Sequence, residues 1–187
     1  MTNDKSRRRL TRLPEYDYSS AGGYYVTICT HERECLFGEI VDGDLVANES
    51  GNIIDAWIQK LPQRYPGVEL DEYVIMPNHV HFVVIIHEQE TDLRPVGAIH
   101  ELPLRTDSKD RVGMRRRMLL PKLVGFFKTN SAKDINRLHQ TSGQPVWQRN
   151  YYEHVVRNDA DLNRIREYIY NNPDNWQADE EYRQRYS

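Results

Sequence analysis

Tyr73-Val74-Ile75-Met76-Pro77-Asn78-His79-Val80-His81-Phe82-Val83-Val84-Ile85-Ile86-His87 decides the fold of this chain. Two apolar runs flank Met76-Pro77-Asn78. Proline fixes φ and asparagine hydrogen-bonds its own backbone, so the break reads as a turn between two strands. The second run is β-branched and aromatic, which favours a strand over a helix. Side chains alternate faces along a strand. His79, His81, Val83, Ile85 and His87 therefore share one face, and Val80, Phe82, Val84 and Ile86 the other. A run apolar on both faces belongs in the middle of a sheet. His79 and His81 sit roughly 6–7 Å apart at Cα, from about 3.3 Å rise per residue. At that spacing two imidazoles can converge on one metal ion. In a buried strand both rings need polar partners, so a metal or catalytic role is expected over a merely structural one.

Working outward, Tyr24 to Thr30 reads as a strand. Leu36 to Ala47 reads as a hairpin turning at Asp42-Gly43, a strong turn dipeptide. Glu49-Ser50-Gly51-Asn52 starts a helix carrying Ile53, Trp57 and Leu61 at helical spacing, which Pro62 and Pro66 end. Val68 to Ile75 is the strand before the turn. Glu88 to Arg117 holds Pro95, Pro103 and many charges, and reads as a flexible insertion. Met118 to about Leu138 is a helix, with Pro121 in its first turn. Val146 to Val156 is extended or mixed. Asn158 or Asp159 caps a last helix reaching about Asn171. The order predicts one α+β domain over 1–187, a ferredoxin-like (split βαβ) antiparallel sheet with helices. Residues 1–22 form an N-terminal arm and 177–187 a tail.

On the last helix Leu162, Ile165 and Ile169 form the apolar stripe at about 100° per residue. Tyr168 and Asn172 are an i, i+4 pair on one flank of it. Tyr170 lies on the other flank, nearer Arg166. A flank residue is half buried and half presented, as a nucleophile should be. A tyrosine that packs and an asparagine that caps would look the same.

Three blocks together resemble a family: Tyr73 to His81, Val146 to Asn158 (Val-Trp-Gln-Arg-Asn-Tyr-Tyr-Glu-His-Val-Val-Arg-Asn) and Arg166 to Pro173 (Arg-Glu-Tyr-Ile-Tyr-Asn-Asn-Pro). His79-Val80-His81 is similar to the histidine–hydrophobe–histidine motif of HUH endonucleases. The blocks in this order resemble the single-tyrosine HUH transposases, and within them the REP-associated tyrosine transposases of bacteria. The resemblance spans roughly Gly23 to Trp176, outside the 88–117 segment. It implies the ferredoxin-like fold and a single-stranded DNA endonuclease and strand transferase that acts through a covalent 5′-phosphotyrosine at hairpin-forming palindromic repeats. It carries Tyr168 over as nucleophile, and His79, His81 and Asn172 as ligands of a divalent metal, Mg or Mn. Other branches carry glutamine where Asn172 stands. Tyr151 and Tyr152 are alternative nucleophiles or packing and stacking residues; Glu153 and His154 are possible supporting or DNA-contacting groups. The expected DNA contacts are Arg115, Arg116, Arg117, Lys128, Trp147, Arg149, Tyr151 and His154.

The chemistry suits these residue types. Phosphodiester cleavage needs a nucleophile and a way to spread charge over phosphate oxygens, which a divalent ion supplies. Two rivals fit less well. A histidine-triad nucleotide hydrolase needs a third histidine where Val83 stands. An RNA-recognition platform needs an aromatic signature that no strand here carries. A catalytically inactive DNA-binding descendant would not need His79, His81 and Tyr168 together.

Composition bounds the rest. The 187 residues suffice for one core, and the formal net charge is −3. Basic residues cluster at Arg7-Arg8-Arg9 and Arg115-Arg116-Arg117, so distribution outweighs the total. Mean hydropathy is −0.78, and no apolar run approaches the ~18 residues of a membrane span. The N-terminal stretch lacks an apolar signal core. Cys29 and Cys35 match no common zinc spacing and are read as structural. The expectation is a cytoplasmic protein, at the nucleoid when bound to DNA, with single-stranded or hairpin DNA as partner, no membrane, and a monomeric or homodimeric state.

Overall fold

The computed structural model describes residues 21–87 and 119–178. The 1–20 part of the arm, the 88–117 insertion with Arg115, Arg116 and Arg117, and the 179–187 part of the tail lie outside the described residues. A four-stranded antiparallel sheet organises the chain: β1 (Gly22–Cys29), β4 (Val68–Met76), β5 (His79–Ile86) and β6 (Tyr152–Val156), in the order β4-β5-β1-β6. That is the ferredoxin-like order, with β5 and β1 central. Between β1 and helix α1 (Glu49–Arg64) stands a separate hairpin, β2 (Gly38–Val41) and β3 (Asp44–Ala47). Helix α2 (Leu119–His139) precedes β6, and α3 (Asp159–Tyr170) follows it. Among the described residues no helix is long and apolar enough to cross a membrane.

The two turns differ in chemistry. Asp42 (φ 52°) and Gly43 (φ 85°) both lie at positive φ, the primed turn whose twist matches its strands. Pro77 cannot adopt positive φ, so Pro77-Asn78 is held from outside. Thr30 N–H and Oγ1 donate to Asn78 O at 2.9 and 3.0 Å, and Phe37 N–H donates to Pro77 O at 3.1 Å. Asn78 is thereby buried beside the histidines.

Each central strand serves two cores. Tyr24, Val26, Ile28, Val80, Phe82, Val84 and Ile86 join Ile54, Ile58 and Leu61 of α1 and Leu120, Leu123, Val124 and Phe127 of α2. Tyr25 and Val83, on the opposite face, meet Ile165 and Ile169 of α3. Helices therefore cover both faces. The α3 side is thin. Two buried isoleucines at about 1.5–3 kcal/mol each hold the helix, aided by polar ties. Asn158 Oδ1 caps its N-terminus through Asp161 N–H at 2.9 Å. A bulge between Leu70 and Tyr73 in β4 sets Asp71 opposite α3. There its carboxylate takes Arg166 Nε at 2.8 Å and Arg166 NH2 at 2.5 Å, which lowers the Asp71 pKa.

One boundary departs from expectation. Pro62 does not end α1, which continues to Arg64. A proline near the last turn forfeits one backbone bond, and Tyr65 N–H still closes on Leu61 O at 3.1 Å. Leu61, buried in the α1–α2 core, keeps the turn in place.

Candidate active site

The histidine face of β5 and the matching face of β1 build the site. Register sets Thr27 opposite His81 and Cys29 opposite His79. The two imidazole centroids are 4.5 Å apart, at 67°. Both rings are buried, at 0% and 2% exposure. His79 Nδ1 lies 2.7 Å from Asn78 Oδ1. An amide oxygen only accepts, so Nδ1 carries the proton and Nε2 the lone pair. That Nε2 is buried and has no hydrogen-bond partner among the described residues. His81 Nδ1 lies 2.8 Å from both Tyr25 Oη and Thr27 Oγ1, hydroxyl oxygens that can accept a proton carried on Nδ1. With the proton on Nδ1, Nε2 carries the lone pair that can ligate a metal.

Burial pushes the His79 pKa down to about 3, and the Arg33 charge adds to the fall; the Asn172 amide works the other way. His79 is therefore neutral at physiological pH, the form that donates a lone pair.

The other half of the site comes from α3 and the turn after it. Tyr168 is half exposed, its ring 5.4 Å from His81 and edge-on to Tyr25 at 6.3 Å. Tyr170 is 83% exposed on the far side of the helix. Asn172 is buried against His79. It does not stand on the helix, which ends at Tyr170. The C-terminal turn carries it inward, with Asn172 N–H on Ile169 O at 3.3 Å. Trp176 then lies over His79 at 6.0 Å. Beside these groups opens a cleft of about 1110 Å³ whose walls include Tyr25, Thr27, His81, Tyr152, His154, Arg164, Tyr168 and Asn172.

This donor set fits a divalent cation. No three His, Cys, Asp or Glu side chains come together to hold one among the described residues. What the site offers is two imidazole nitrogens and one amide oxygen, with the Asn172 amide beside buried His79. A nitrogen–oxygen set with open positions suits Mn or Mg. The hydroxyls and Asn78 on the Nδ1 atoms are the outer support such ligands require. Cys29 is buried and not bridged to exposed Cys35.

Several expected DNA contacts fall elsewhere. Trp147 is buried among Phe37 and Phe127 and donates its indole N–H to Ser131 Oγ at 3.0 Å, so no base can stack on it. Tyr151 packs against the α1–α2 core. Glu153 pairs across with Val26 on that same helix-covered side, away from the histidines. Lys128 spends its ammonium on the carbonyls of Gln148 (2.6 Å), Arg149 (3.1 Å) and Asn150 (3.5 Å), fixing the loop before β6. Arg149 is exposed. His154 does reach the cleft, bound through Nε2 to Asp161 Oδ2 at 2.8 Å.

Sequence reasoning missed Tyr25, Thr27, Asn78 as a histidine partner, Trp176 and Asp161. Tyr25 and Thr27 alternate on β1, but only the β1–β5 register reveals which histidine they meet. Asp161 occupies the stripe position assigned to Leu162. It is held ionised near pKa 2, first by His154, then by the Arg157 N–H and Arg164.

Comparison with known proteins extends these observations. No family model matches the chain. An uncharacterized protein of Haemophilus influenzae is 36% identical over 178 residues, covering 94% of this chain and 93% of that one. A second protein of the same organism, named "Putative REP-associated tyrosine transposase", is 26% identical over 157 residues, covering 84% of this chain and 73% of that one. A solved structure of a REP-associated tyrosine transposase bound to a REP hairpin superposes with a TM-score of 0.50 at 18% identity, covering 88% of this chain and 73% of that one. At that identity the likeness is one of fold.

Proposed function

We propose that this chain, which belongs to one family with the uncharacterized Haemophilus influenzae protein and is similar to the REP-associated tyrosine transposases, is a metal-dependent single-stranded DNA endonuclease and strand transferase. The observation that carries the reading is the meeting of four groups. His79, His81 and Asn172 stand together at 0–2% exposure, and Tyr168 presents its phenol 5.4 Å (ring to ring) from His81. A transposase-like role in DNA processing, with hairpin DNA as partner, draws further support from the named relatives.

His79 Nε2, His81 Nε2 and the Asn172 amide would hold the cation. When bound, it supplies Lewis-acid stabilisation of the charge on the phosphate oxygens. Asn78 and the Tyr25 and Thr27 hydroxyls keep the two rings in the orientation that aims Nε2 inward. Tyr168 attacks the phosphorus. A bond from its phenolic oxygen to phosphorus forms, and the bond to the 3′ oxygen breaks. The phenol loses its proton, and the departing 3′ oxygen takes one up. With an ordinary phenol pKa of about 10, the proton must leave as attack proceeds. The DNA stays joined through a 5′-phosphotyrosine, so a free 3′-hydroxyl can reverse the step at a new end. Tyr25 stands edge-on to Tyr168, and Trp176 lies over His79.

The test is a labelled hairpin oligonucleotide with a single-stranded flank, incubated with the protein and manganese or with chelator alone. Nicking and a covalent protein–DNA adduct are expected only with manganese. Equal cleavage in chelator would remove the metal from the reading. Calorimetric titration of manganese into His79→Ala and His81→Ala proteins is expected to show binding lost in each.

A further inference from the structure

Tyr152 stands out among the side chains that the chemistry above leaves unused. It is a large aromatic residue, 49% exposed, on the outer strand of the sheet. Thr27 is its partner across β1–β6, so it faces the cleft. Its ring stands edge-on to Tyr25 at 6.4 Å, and Tyr25 in turn stacks on His81 at 5.4 Å and 23°. An aromatic track therefore runs from the imidazole pair along the cleft, ending in a half-exposed ring.

A second group lies along the same wall. Asp161, with a side chain only 8% exposed, receives His154 Nε2 at 2.8 Å, Arg157 N–H at 3.1 Å and Arg164 NH2 at 2.5 Å. The carboxylate is a pedestal that fixes His154 and Arg164 toward the cleft. A guanidinium has five donors, and only NH2 of Arg164 is spent on the pedestal; its side chain is 76% exposed. Glu167, one turn along α3, also lines the cleft. Its charge confines an anion to the Arg164 end.

We propose that Tyr152 and Arg164 form a subsite for one nucleotide beside the scissile phosphate, Tyr152 stacking its base and Arg164, set by Asp161 and His154, taking its phosphate. This rests on the DNA reading above and adds the place where a neighbouring base is gripped. The base contact is through a ring face, so it favours unpaired nucleotides: a base within a duplex has no free face to offer. Stacking accepts any base, so this subsite reads the presence of a base more than its identity.

A protein–DNA double-mutant cycle tests it. The probe is a hairpin oligonucleotide with a single-stranded flank carrying one abasic position, moved along the flank. The background is the full chain with Tyr168→Phe and chelator, so that binding is read without cleavage. Tyr152→Ala is expected to weaken the intact strand roughly 5- to 150-fold, the range of one base–aromatic stack. That loss is expected to vanish at one abasic position and to persist at the others. Tyr152→Phe is expected to bind like the parent, which separates stacking from loss of fold. Arg164→Gln is expected to lower the salt dependence by about 0.7 counterion, the release per phosphate on a single strand. Equal loss on intact and abasic strands, or no loss at all, overturns the subsite. No binding by the parent protein to any flank overturns the DNA reading itself, and the subsite with it.

Discussion

The two faces of one sheet make opposite uses of the same strands. Toward α1 and α2, β5 presents Val80, Phe82, Val84 and Ile86 to a wide apolar core. Toward α3 it presents His79, His81 and Val83, and only Val83 joins the small cluster with Ile165 and Ile169. The first face carries stability and no chemistry. The second gives up apolar packing to keep buried imidazoles, hydroxyls and a tyrosine beside a cleft. Stability and activity should therefore separate cleanly by the parity of the residue altered.

The largest expected effect is on the apolar face. Phe82→Ala removes a fully buried ring and is expected to cost about 3–5 kcal/mol, measured by urea unfolding, with cleavage lost only as the fold is lost. His81→Ala, one residue away, is expected to abolish nicking while leaving most of the urea midpoint intact. If the two variants lose stability equally, the faces are not divided as described.

Next come the groups that aim the histidines. Thr27→Val and Tyr25→Phe each delete one hydroxyl from His81 Nδ1 and keep the packing. Each is expected to weaken metal affinity or activity by about 10–100-fold, read by manganese titration and single-turnover nicking. A wild-type response from the double variant would mean the tautomer is set some other way.

The smallest effect is acid stability. The Asp161 carboxyl sits near pKa 2, below its ordinary 3.8. A depressed carboxyl stabilises the fold above its unfolded pKa, and the benefit is lost as pH falls from about 4 toward 2. Asp161→Asn is expected to be less stable at neutral pH but to lose less between pH 4 and 2, seen in thermal melts across that window. Parallel melts for both proteins would place the acid sensitivity elsewhere.

The fold was largely legible, because it rests on local rules. Alternation in β5, the Asp42-Gly43 turn, and the helical stripes of α1 and α2 need no knowledge of distant partners. The site was legible where a motif stood within one element, as with His79 and His81 on β5. It was not legible where register or a turn made the contact. Tyr25 and Thr27 meet His81 across β1–β5, and Asn172 reaches His79 by leaving α3 rather than by following its helical face. Expectations for Trp147 and Tyr151 ran the other way. Aromatic residues in an extended stretch look alike in sequence, yet Trp147 is buried at a bridge to Thr30 before β6 while Tyr152 opens β6 facing the cleft. Lys128 reads as a surface charge until its three carbonyl partners are seen.

The central claim is that α3 brings Tyr168 to the histidine pair as the attacking residue. It is tested most directly by mass spectrometry of the covalent adduct trapped on a hairpin oligonucleotide with manganese, for the parent, Tyr168→Phe and Tyr170→Phe proteins. Tyr168 is 5.4 Å from His81 ring to ring, and Tyr170 is 83% exposed on the other side. The expected result is a phosphotyrosyl peptide at Tyr168 in the parent and in Tyr170→Phe, and none in Tyr168→Phe, which still binds DNA and melts like the parent. An adduct at Tyr152 or Tyr170, or undiminished cleavage by Tyr168→Phe, would contradict it.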